Sequence, residues 1–416
     1  MNKTDNRSTL YYLECIGCHK RYKPEDIVYT CQRCGDLLNI KYNYENVDQQ
    51  LKSGEWKKRP LSVWRYKALL PILDDAKKIS LSEGGTRLHR CNRLAKEFSL
   101  KTLYVKTEGD NPTGSFKDRG MTVGVTKAVE CKVKAVVCAS TGNTSASLSA
   151  YAAKAGIHCL VIIPAKKIAY GKLAQAMVYG AKLIQVRGSF DDALRVVLEL
   201  SSDTNRFYLL NSINPYRIEG QKTLAYEVLE QLGGSVPHKV VMPVGNAGNI
   251  TAAWKGFKEF KELSLTNSLP RMIGVQAEGA APVANAILGG KEVIEPVSNP
   301  ETLATAIRIG SPVNWKRALQ AIRESRGTAE MVTDKEIVNA QKLLARYEGL
   351  FVEPASAASV ASLKKLLETG QIVKDDVVVC IATGHGLKDP DVPIQFCGKA
   401  SEVEPTLKAV EKIIGD

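Results

Sequence analysis

Lys117 is the first candidate for covalent chemistry, because it lies in a run of small and polar residues. Residues 111–120 read Asn-Pro-Thr-Gly-Ser-Phe-Lys-Asp-Arg-Gly, and an apolar helical pattern begins at the lysine. A lysine that is packed behind an aromatic ring and beside backbone donors can lose its proton and form an imine with an aldehyde. A lysine next to Asp118 and Arg119 is also typical of a solvated ion cluster. Whether Lys117 forms an imine or belongs to such a cluster depends on whether the chain also has a binding site for the rest of the aldehyde.

A phosphate-binding turn is predicted within residues 240–249, which read Val-Val-Met-Pro-Val-Gly-Asn-Ala-Gly-Asn. The β-branched run predicts a buried strand, and the pattern over 250–257 predicts a helix. Gly245 and Gly248 allow a tight turn whose backbone N–H groups converge on an anion at the positive end of that helix. A single Gly-x-x-Gly is a weak signal. Together with an imine-forming lysine, it indicates pyridoxal phosphate, an aldehyde that carries a phosphate.

Hydroxyl side chains cluster before and at the start of a predicted small-residue helix, at Ser140, Thr141 and Thr144. Hydroxyls and backbone donors at a helix N-terminus suit a carboxylate. Asn143 in the same run offers an amide that can bind the phenolic oxygen of a pyridoxal ring. The competing interpretation is an ordinary helix cap formed by serine or threonine.

A polar segment at 211–217, Asn-Ser-Ile-Asn-Pro-Tyr-Arg, follows an apolar strand pattern. The carboxyl ends of strands are where α/β sheets place their ligands. Arg217 can make a bidentate contact to a phosphate. The other interpretation is a loop arginine that is paired with Glu219.

Residues 382–386, Ala-Thr-Gly-His-Gly, also follow a predicted strand. The hydroxyl of Thr383 can bind a ring nitrogen without protonating it. His385 is a candidate base, although a histidine in a glycine turn is more often structural.

Four of the ten cysteines form two Cys-x-x-Cys pairs, Cys15 with Cys18 and Cys31 with Cys34, separated by twelve residues. Four thiolates in a reducing compartment are typical of one structural zinc ion. The gap is shorter than the commonest spacing of such sites, and His19 is an alternative ligand. A site that keeps its cysteines and has lost the metal is the other interpretation.

The composition fits a globular protein with dispersed positive charge. Its 416 residues include 57 Lys and Arg against 44 Asp and Glu, a net charge of +13. No apolar run reaches the roughly 18 residues of a membrane span, and the first ten residues lack the apolar stretch of a signal peptide, so we expect a cytoplasmic protein that binds no membrane. The positive net charge favours anionic partners such as phosphorylated metabolites. Nucleic-acid binding is not predicted, because the sequence has no basic tract with interleaved aromatic residues.

Apolar runs alternate with helical patterns after a polar, linker-like segment at 44–65. This alternation predicts an α/β protein with parallel sheets covered by helices on both faces. Two independent glycine turns favour two α/β units that face each other across a cleft, where a cofactor is expected. The predicted strands are 102–106, 135–138, 159–163, 183–186, 207–210, 240–244, 272–275 and 377–381.

In combination these segments resemble the threonine synthases, in particular the archaeal-type branch, which are pyridoxal-phosphate enzymes of fold type II. The resemblance covers nearly the whole chain. Two positions depart from the usual Gly-Glu-Gly-Gly-Thr-Pro pattern, because Ser82 and Arg87 stand where glycine and proline are expected. The segments that carry the resemblance are 82–86, 111–120, 140–144, 170–173, 211–220, 245–249, 276–279, 306–310, 353–356 and 383–386.

The resemblance implies three domains and a homodimer. A large cofactor-binding domain would comprise 46–125 and 213–416, with a small, mobile α/β domain inserted at 126–212. A zinc-ribbon-like module would occupy 1–45.

The resemblance also implies roles for individual residues. Lys117 resembles the Schiff-base lysine, Asn143 the partner of the ring oxygen and Thr383 the partner of the ring nitrogen. The cofactor phosphate would be bound by Gly245, Asn246, Ala247, Gly248 and Asn249. The substrate carboxylate would be bound by Ser140, Thr141 and Thr144. The substrate phosphate would be bound by Lys172, Asn211, Ser212 and Arg217.

The implied reaction converts O-phospho-L-homoserine and water into L-threonine and phosphate, a β,γ-replacement. Lys117, displaced by the substrate amine, would remove the Cα proton while the cofactor ring stores the charge. The γ-phosphate then leaves and water adds at Cβ, and in this family the released phosphate is thought to help deliver that water.

The nearest alternative is a cysteate synthase-type paralogue that uses O-phosphoserine and sulfite, since a phosphate pocket does not measure the carbon chain of its substrate. A serine or threonine dehydratase fits less well, because an unphosphorylated substrate leaves Lys172 and Arg217 without a role. From a different class, the cysteine pairs and the positive charge suggest a zinc-ribbon nucleic-acid-binding protein.

Overall fold

The structure is a computed structural model, and it describes residues 10–45, 47, 51, 54–165, 170–188, 190–397 and 400–414. The side chains of residues 170–172, 190, 191 and 414 lie outside this description. In the described part of the chain, no helix is both long and apolar enough to cross a bilayer.

The strands alternate with helices through most of the chain. The strands are β1 Tyr11–Cys15, β2 Arg21–Tyr22, β3 Leu38–Tyr42, β4 Leu88–Arg90, β5 Thr102–Thr107, β6 Ala135–Ala139, β7 His158–Pro164, β8 Lys182–Val186, β9 Phe207–Leu209, β10 Lys239–Pro243, β11 Arg271–Ala277, β12 Thr328–Val332 and β13 Val377–Ala382. The helices are α1 Asn92–Glu97, α2 Lys117–Glu130, α3 Asn143–Ala155, α4 Tyr170–Val178, α5 Phe190–Leu200, α6 Pro215–Gln221, α7 Thr223–Gln231, α8 Gly248–Glu262, α9 Pro282–Leu288, α10 Trp315–Glu324, α11 Asp334–Glu348, α12 Pro354–Ala361, α13 Leu363–Glu368, α14 Asp391–Phe396 and α15 Leu407–Ile414.

The described strands form three sheets. The largest has the order β12-β11-β10-β13-β5-β4, and the second has the order β8-β7-β6-β9. Both are parallel except for the antiparallel pairing of β4 with β5. All five residues of β10 are buried, as expected for a strand that is covered on both faces. The prediction of an α/β protein with two parallel sheets is therefore confirmed.

The third sheet, β2-β1-β3, is antiparallel and contains the paired cysteines at its turns. It packs against α6. The hydroxyl of Tyr42 donates to Glu219 Oε2 at 2.7 Å, and the hydroxyls of Tyr11 and Tyr216 lie 3.5 Å apart. Both partners belong to α6, so this small sheet supports the helix that carries Arg217.

The segment predicted as a polar linker contributes to the main core. Val47 is 2% exposed, Leu51 7% and Trp56 5%, and all three pack in the same apolar cluster as β10. The prediction overlooked these residues because polar side chains outnumber them in the sequence. These described residues of the segment are thus packed into the core rather than free.

Arg87 stands where proline is expected and uses a group that proline lacks. Its backbone N–H donates to Asp110 Oδ2 at 3.1 Å, while the guanidinium donates to Oδ2 at 2.9 Å and to Oδ1 at 2.6 Å. Arg87 immediately precedes β4. Its bonds to Asp110 therefore tie the start of this strand to the turn at Glu108–Asp110, which leads into the Lys117 segment.

Ser82 stands where glycine is expected and has a left-handed backbone with φ of 67°. A Cβ atom crowds the following carbonyl oxygen in this conformation. We expect Ser82→Gly to raise the free energy of unfolding by about 1 kcal/mol, measured by urea denaturation. Ser62→Gly is the matched control, because Ser62 has an extended φ of −166° and glycine there should destabilise the protein. A loss of stability at both positions would contradict the strain at Ser82.

Candidate active site

Lys117 is the first residue of α2, and the loop before it is held by hydrogen bonds to the helix. Thr113 donates to Asp118 through its backbone N–H at 2.7 Å and through its hydroxyl at 2.6 Å. Lys117 Nζ lies 4.0 Å from the centroid of the Phe116 ring, as the sequence prediction of a lysine behind an aromatic requires. The pKa of Lys117 is lowered to about 7, chiefly by burial and also by the charge of Arg217, against the opposing effect of Glu353. A large fraction of the amine is therefore neutral near pH 7.

The interpretation of this segment as a solvated ion cluster is wrong, because both charged neighbours of Lys117 are fully buried. Asp118 accepts from Thr113 and from Ser147 on α3. Arg119 donates to Glu108 at 2.6 Å and to Glu227 at 2.7 Å. These contacts fix the start of α2 to β5's following turn and to α7, and so fix the direction of the lysine.

Helices α2 and α6 approach each other closely through glycines. A Cβ at Gly220 would lie 1.7 Å from the carbonyl oxygen of Arg119, and a Cβ at Gly120 would lie 2.9 Å from that of Arg217. Any larger residue at either position would force the helices apart. The close packing brings Arg217 into the electrostatic environment of Lys117.

Arg217 lies in α6, where it is 3% exposed. Its Nη1 donates to the carbonyl of Leu210 at 3.3 Å, and its Nε has no partner among the described residues. Glu219 binds Lys222 at 2.6 Å and also Lys255, so the alternative of a loop arginine paired with Glu219 is wrong. Burial lowers the pKa of Arg217 to about 10, which still leaves it charged at neutral pH.

The predicted phosphate turn lies between β10 and α8, which contains the predicted helix 250–257. Its left-handed residue is Ala247, with φ of 63°, rather than either glycine. Gly245 lies in a tight space, because a Cβ there would lie 3.0 Å from the carbonyl oxygen of Ala306. Asn249 is 6% exposed, and its Nδ2 has no partner among the described residues. Asn246 lies in the same turn, and Gly248 begins the helix.

The hydroxyl cluster lies at the N-terminus of α3, where the structure contradicts an ordinary serine or threonine cap. The cap is Gly142, without a side-chain cap bond, and its N–H donates to Ser140 Oγ at 3.3 Å. Thr141 is exposed, and Thr144 is partly buried in the first turn. Asn143, the first residue of the helix, donates through Nδ2 to Glu353 Oε2 at 2.9 Å.

Asn211 and Ser212 follow β9 and face the chain that leaves β6. The Asn211 amide accepts from the N–H of Ala139 at 2.9 Å and donates to its carbonyl at 3.0 Å. The carbonyl of Ser212 accepts from Asn314 Nδ2 at 3.2 Å. Lys172 lies in the first turn of α4, and its side chain is outside the described structure.

The turn after β13 is attached to the Lys117 loop by backbone hydrogen bonds. The N–H of Phe116 donates to the carbonyl of Thr383 at 3.0 Å, and the N–H of His385 donates to that of Gly114 at 2.9 Å. Thr383 is 5% exposed and donates to Glu353 Oε1 at 3.0 Å. His385 accepts at Nδ1 from the N–H of Leu387 at 3.2 Å, which favours its structural interpretation.

Asn314 and Glu353 are functional candidates to which the sequence predictions gave no role, although Glu353 lies in the segment 353–356 that carries the resemblance. Asn314 is 1% exposed, and its N–H donates to the carbonyl of Asn246 at 3.2 Å. With its bond to Ser212, it joins the predicted cofactor-phosphate turn to the predicted substrate-phosphate loop. No local motif marks Asn314, whereas Glu353 is the lone carboxylate in an otherwise apolar and small-residue run that begins α12.

The residues around the site fit phosphate-bearing ligands. Four buried polar atoms, each in or beside the predicted binding segments, have no hydrogen-bond partner in the described structure. An unsatisfied buried group of this kind costs about 1–3 kcal/mol, and bound ligands are a common remedy. The four atoms are Ser115 Oγ, Arg217 Nε, Gln221 Oε1 and Asn249 Nδ2.

The Cys-x-x-Cys pairs converge on one point. Their four Sγ atoms lie within 4.8 Å of one another, with Cys15 3.4 Å from Cys34 and Cys18 3.5 Å from Cys31. Four thiolates around zinc lie about 3.8 Å apart, given Zn–S bonds of about 2.3 Å. His19 is not part of the cluster, since its ring is 76% exposed and lies 3.7 Å from Glu14. The cysteines therefore form a possible metal site.

Comparison with known proteins assigns the chain to a family. Residues 79–384 match the model of a family described as "Pyridoxal-phosphate dependent enzyme". A threonine synthase of Methanocaldococcus jannaschii is 57% identical over 400 residues, which cover 96% of this chain and 98% of that protein. This chain belongs to the threonine synthase branch of the pyridoxal-phosphate-dependent enzymes. A threonine synthase of Methanosarcina acetivorans is 55% identical over 405 residues, or 97% of this chain and 99% of that protein.

The threonine synthase assignment agrees with the fold of solved structures. Maize serine racemase superposes with a TM-score of 0.63 at 22% identity, covering 75% of this chain and 91% of the racemase. At this identity the likeness shows the fold alone, which is fold type II. The resemblance drawn from the sequence is confirmed in both family and fold.

Proposed function

We propose that this chain is a threonine synthase that converts O-phospho-L-homoserine and water into L-threonine and phosphate, with pyridoxal 5'-phosphate as cofactor. The observation that carries the proposal is the pair formed by Lys117 and Arg217. A lysine whose pKa is about 7 can react with an aldehyde at neutral pH. A buried arginine that has no carboxylate partner among the described residues, and whose Nε is unpartnered there, suits a phosphate ester.

Several residues would hold the cofactor. Lys117 would bind its aldehyde carbon, and the ring would lie between Asn143 and Thr383. The turn from Gly245 through Asn246, Ala247, Gly248 and Asn249 would bind its phosphate, supported by the unpartnered amide of Asn249 and the positive end of α8. When bound, the cofactor supplies an electron sink for charge that develops at the substrate Cα.

The remaining residues would bind and orient the substrate. The N-terminus of α3, with Ser140, Thr141 and Thr144, would hold the carboxylate. Arg217 would hold the phosphate with Asn211, Ser212 and Lys172 around it. Lys117 Nζ, once displaced by the substrate amine, would accept the Cα proton, which its lowered pKa permits at neutral pH.

The test is a direct comparison of two substrates on the reconstituted protein. We expect threonine and phosphate to form from O-phosphohomoserine in equal amounts, and no cysteate to form from O-phosphoserine and sulfite. Formation of cysteate with little threonine would favour the cysteate synthase-type alternative. The small sheet offers little aromatic surface for the nucleic-acid-binding alternative, since Tyr11, Tyr22 and Tyr42 are buried and the partly buried Tyr12 has the Arg21 guanidinium 4.5 Å from its ring centroid.

We also infer that Cys15, Cys18, Cys31 and Cys34 bind one structural zinc ion, which their convergence supports. Metal analysis of the purified protein should find one zinc per chain, and Cys31→Ser should lose it. Cys397→Ser is the matched control, because Cys397 is exposed and lies outside the cluster. Stoichiometric zinc in Cys31→Ser, or none in the unaltered protein, would contradict this inference.

The domain boundaries, the assembly and the location are proposals of the same kind. The division into 1–45, 46–125 with 213–416, and 126–212 is supported by the three sheets, since the second sheet uses only residues between 135 and 209. All ten cysteines are free, which supports a reducing compartment such as the cytoplasm. The homodimer stays a prediction, which sedimentation analysis would test.

A further inference from the structure

Glu353 places a buried carboxyl group between the two side chains that are proposed to hold the cofactor ring. It is 3% exposed and immediately precedes α12. Its Oε1 lies 3.0 Å from Thr383 Oγ1, and its Oε2 lies 2.9 Å from Asn143 Nδ2. The two side chains it joins come from different sheets of the molecule, at the ends of β13 and β6.

The backbone around Glu353 leaves room for this carboxyl group and for little else. A Cβ at Gly384 would lie 2.7 Å from Glu353 Cδ, so only glycine fits beside it. The N–H of Glu353 donates to the carbonyl of Gly384 at 3.0 Å, and Ser356 Oγ accepts from the N–H of Gly384 at 2.8 Å. The carboxyl group is therefore held in one place relative to Thr383.

The Thr383 hydroxyl has two protein partners, Glu353 and Ser356, whose Oγ lies 3.0 Å from Thr383 Oγ1 and also donates to the carbonyl of Gly384 at 3.1 Å. The protonation state of Glu353 then affects what the Thr383 hydroxyl can do. A hydroxyl has one proton to donate. If Glu353 is ionised, Thr383 donates that proton to it, and its oxygen can only accept a hydrogen bond from a protonated ring nitrogen. If Glu353 is neutral, its O–H donates to Thr383, and the Thr383 proton can point toward an unprotonated ring nitrogen. The neutral acid also suits Asn143, whose N–H meets the remaining carbonyl oxygen.

The surroundings of Glu353 shift its protonation equilibrium toward the neutral form. Burial raises its pKa, while the bonds from Asn143 and Thr383 and the charges of Lys388 and Lys117 act in the opposite direction, with a net rise. Lys117 faces it from α2 and Lys388 from the turn that follows Thr383. His385, the other titratable group on that turn, packs its ring against Phe351 at 5.8 Å.

We propose that Glu353 is a positioning residue that remains a neutral carboxylic acid, directs the Thr383 hydroxyl toward the ring nitrogen of the cofactor and keeps that nitrogen unprotonated. This inference rests on the proposed pyridoxal-phosphate function. It extends that function, because it assigns the proton that sets how strongly the ring withdraws charge from the substrate. An unprotonated ring is the weaker electron sink, which suits a reaction that must direct charge beyond Cα.

The inference is tested on the ring nitrogen itself, without an activity assay. The apoprotein is reconstituted with pyridoxal phosphate labelled with ¹⁵N in the ring, and the ¹⁵N chemical shift is measured by NMR. We expect the shift of an unprotonated ring nitrogen in the wild type. We expect the same shift in Glu353→Gln, because the glutamine amide can donate to Thr383 and accept from Asn143 as the neutral acid does.

A second variant and a control keep the test sharp. Glu353→Ala removes both contacts, and we expect the dissociation constant of the cofactor to rise about tenfold. Glu368→Gln is the matched control at an exposed site on α13. It should change neither the ¹⁵N chemical shift nor the dissociation constant of the cofactor. If Glu353→Ala does not fold, the comparison of wild type with Glu353→Gln still decides the protonation state of Glu353, and Glu353→Leu, which also removes both hydrogen bonds, replaces Glu353→Ala in the measurement of cofactor affinity.

The outcomes that overturn the inference differ from those that overturn the proposed function. A protonated ring nitrogen in the wild type, or a shift that differs between wild type and Glu353→Gln, would show that Glu353 is ionised. An unchanged dissociation constant of the cofactor in Glu353→Ala would show that Glu353 does not act through Thr383 and Asn143. A wild-type protein that binds no pyridoxal phosphate would instead overturn the proposed function itself.

Discussion

Lys117→Ala is expected to remove the visible absorption of the bound cofactor and to lower turnover by roughly 10³-fold or more. The variant loses both the amine that would bind the aldehyde and the group that would accept the Cα proton. The neighbouring contacts of Asp118 and Arg119 do not involve the lysine side chain, so the fold should persist. The absorption spectrum of the reconstituted variant and its steady-state kinetics measure the two effects, and circular dichroism checks the fold.

The matched control for this variant is Lys154→Ala. Lys154 is exposed in the last turn of α3, and its removal should leave both the spectrum and the turnover unchanged. An intact visible band in Lys117→Ala would assign the covalent bond to another amine. The loss of turnover without loss of the band would leave Lys117 only its role as a base.

The pH dependence of cofactor binding should report the lowered pKa of Lys117. Only the neutral amine attacks an aldehyde. The rate of reconstitution should therefore rise with pH, reach half of its maximum at a pH of about 7, and become constant at higher pH. A lysine with the ordinary pKa of 10.5 would give a rate that keeps rising over the whole accessible range. Arg217→Ala removes a positive charge that lowers this pKa and should therefore move the midpoint upward.

The parts of the fold that the sequence predicted are those with a local signal. The eight predicted strands correspond to β5 through β11 and β13, because buried parallel strands are continuous apolar runs. In the large sheet β4 and β12 were missed, since their mixed polarity gives no clear period, and the strands β1 to β3 of the small sheet were not predicted either. Turn residues were predicted by the same local logic, yet the left-handed residue of the phosphate turn proved to be Ala247.

The parts of the site that the sequence did not predict depend on contacts between distant segments. Glu353 meets Asn143 across 210 residues of sequence, and Asn314 meets Ser212 across 102. Neither contact follows from a motif, because it exists only after the two parallel sheets have been placed. The alternative of an Arg217–Glu219 pair shows that closeness in sequence does not ensure contact. These residues are close in sequence, but on α6 they point in different directions and Glu219 binds two lysines.

Arg217→Ala is expected to lower kcat/KM for O-phosphohomoserine by roughly 10²–10³-fold while changing the affinity for pyridoxal phosphate by less than about threefold. A bidentate contact between a guanidinium and a phosphate in a buried site accounts for a loss of this size. Steady-state kinetics and cofactor titration measure the two effects. Arg206→Ala is the matched control, because Arg206 is exposed and pairs with Asp203.

The stability of Arg217 variants separates a binding role from a structural one. Arg217 is 3% exposed, has no carboxylate partner in the described structure and leaves Nε without a hydrogen bond. A buried charge in this situation costs folding free energy, and a residue that only supported the fold would be expected to be apolar there. We therefore expect Arg217→Met, which keeps an apolar side chain of similar length, to raise the free energy of unfolding of the apoprotein by about 1 kcal/mol or more.

The same substitution should reduce the use of the phosphorylated substrate as strongly as alanine does. Greater stability with lower kcat/KM would mean that the arginine is retained for its ligand at the expense of the fold. A fall in both quantities would instead show that Arg217 supports the packing of α2 against α6. Adding inorganic phosphate to the unaltered apoprotein should stabilise it and should have much less effect on Arg217→Met, since the buried guanidinium would then have the anion it lacks.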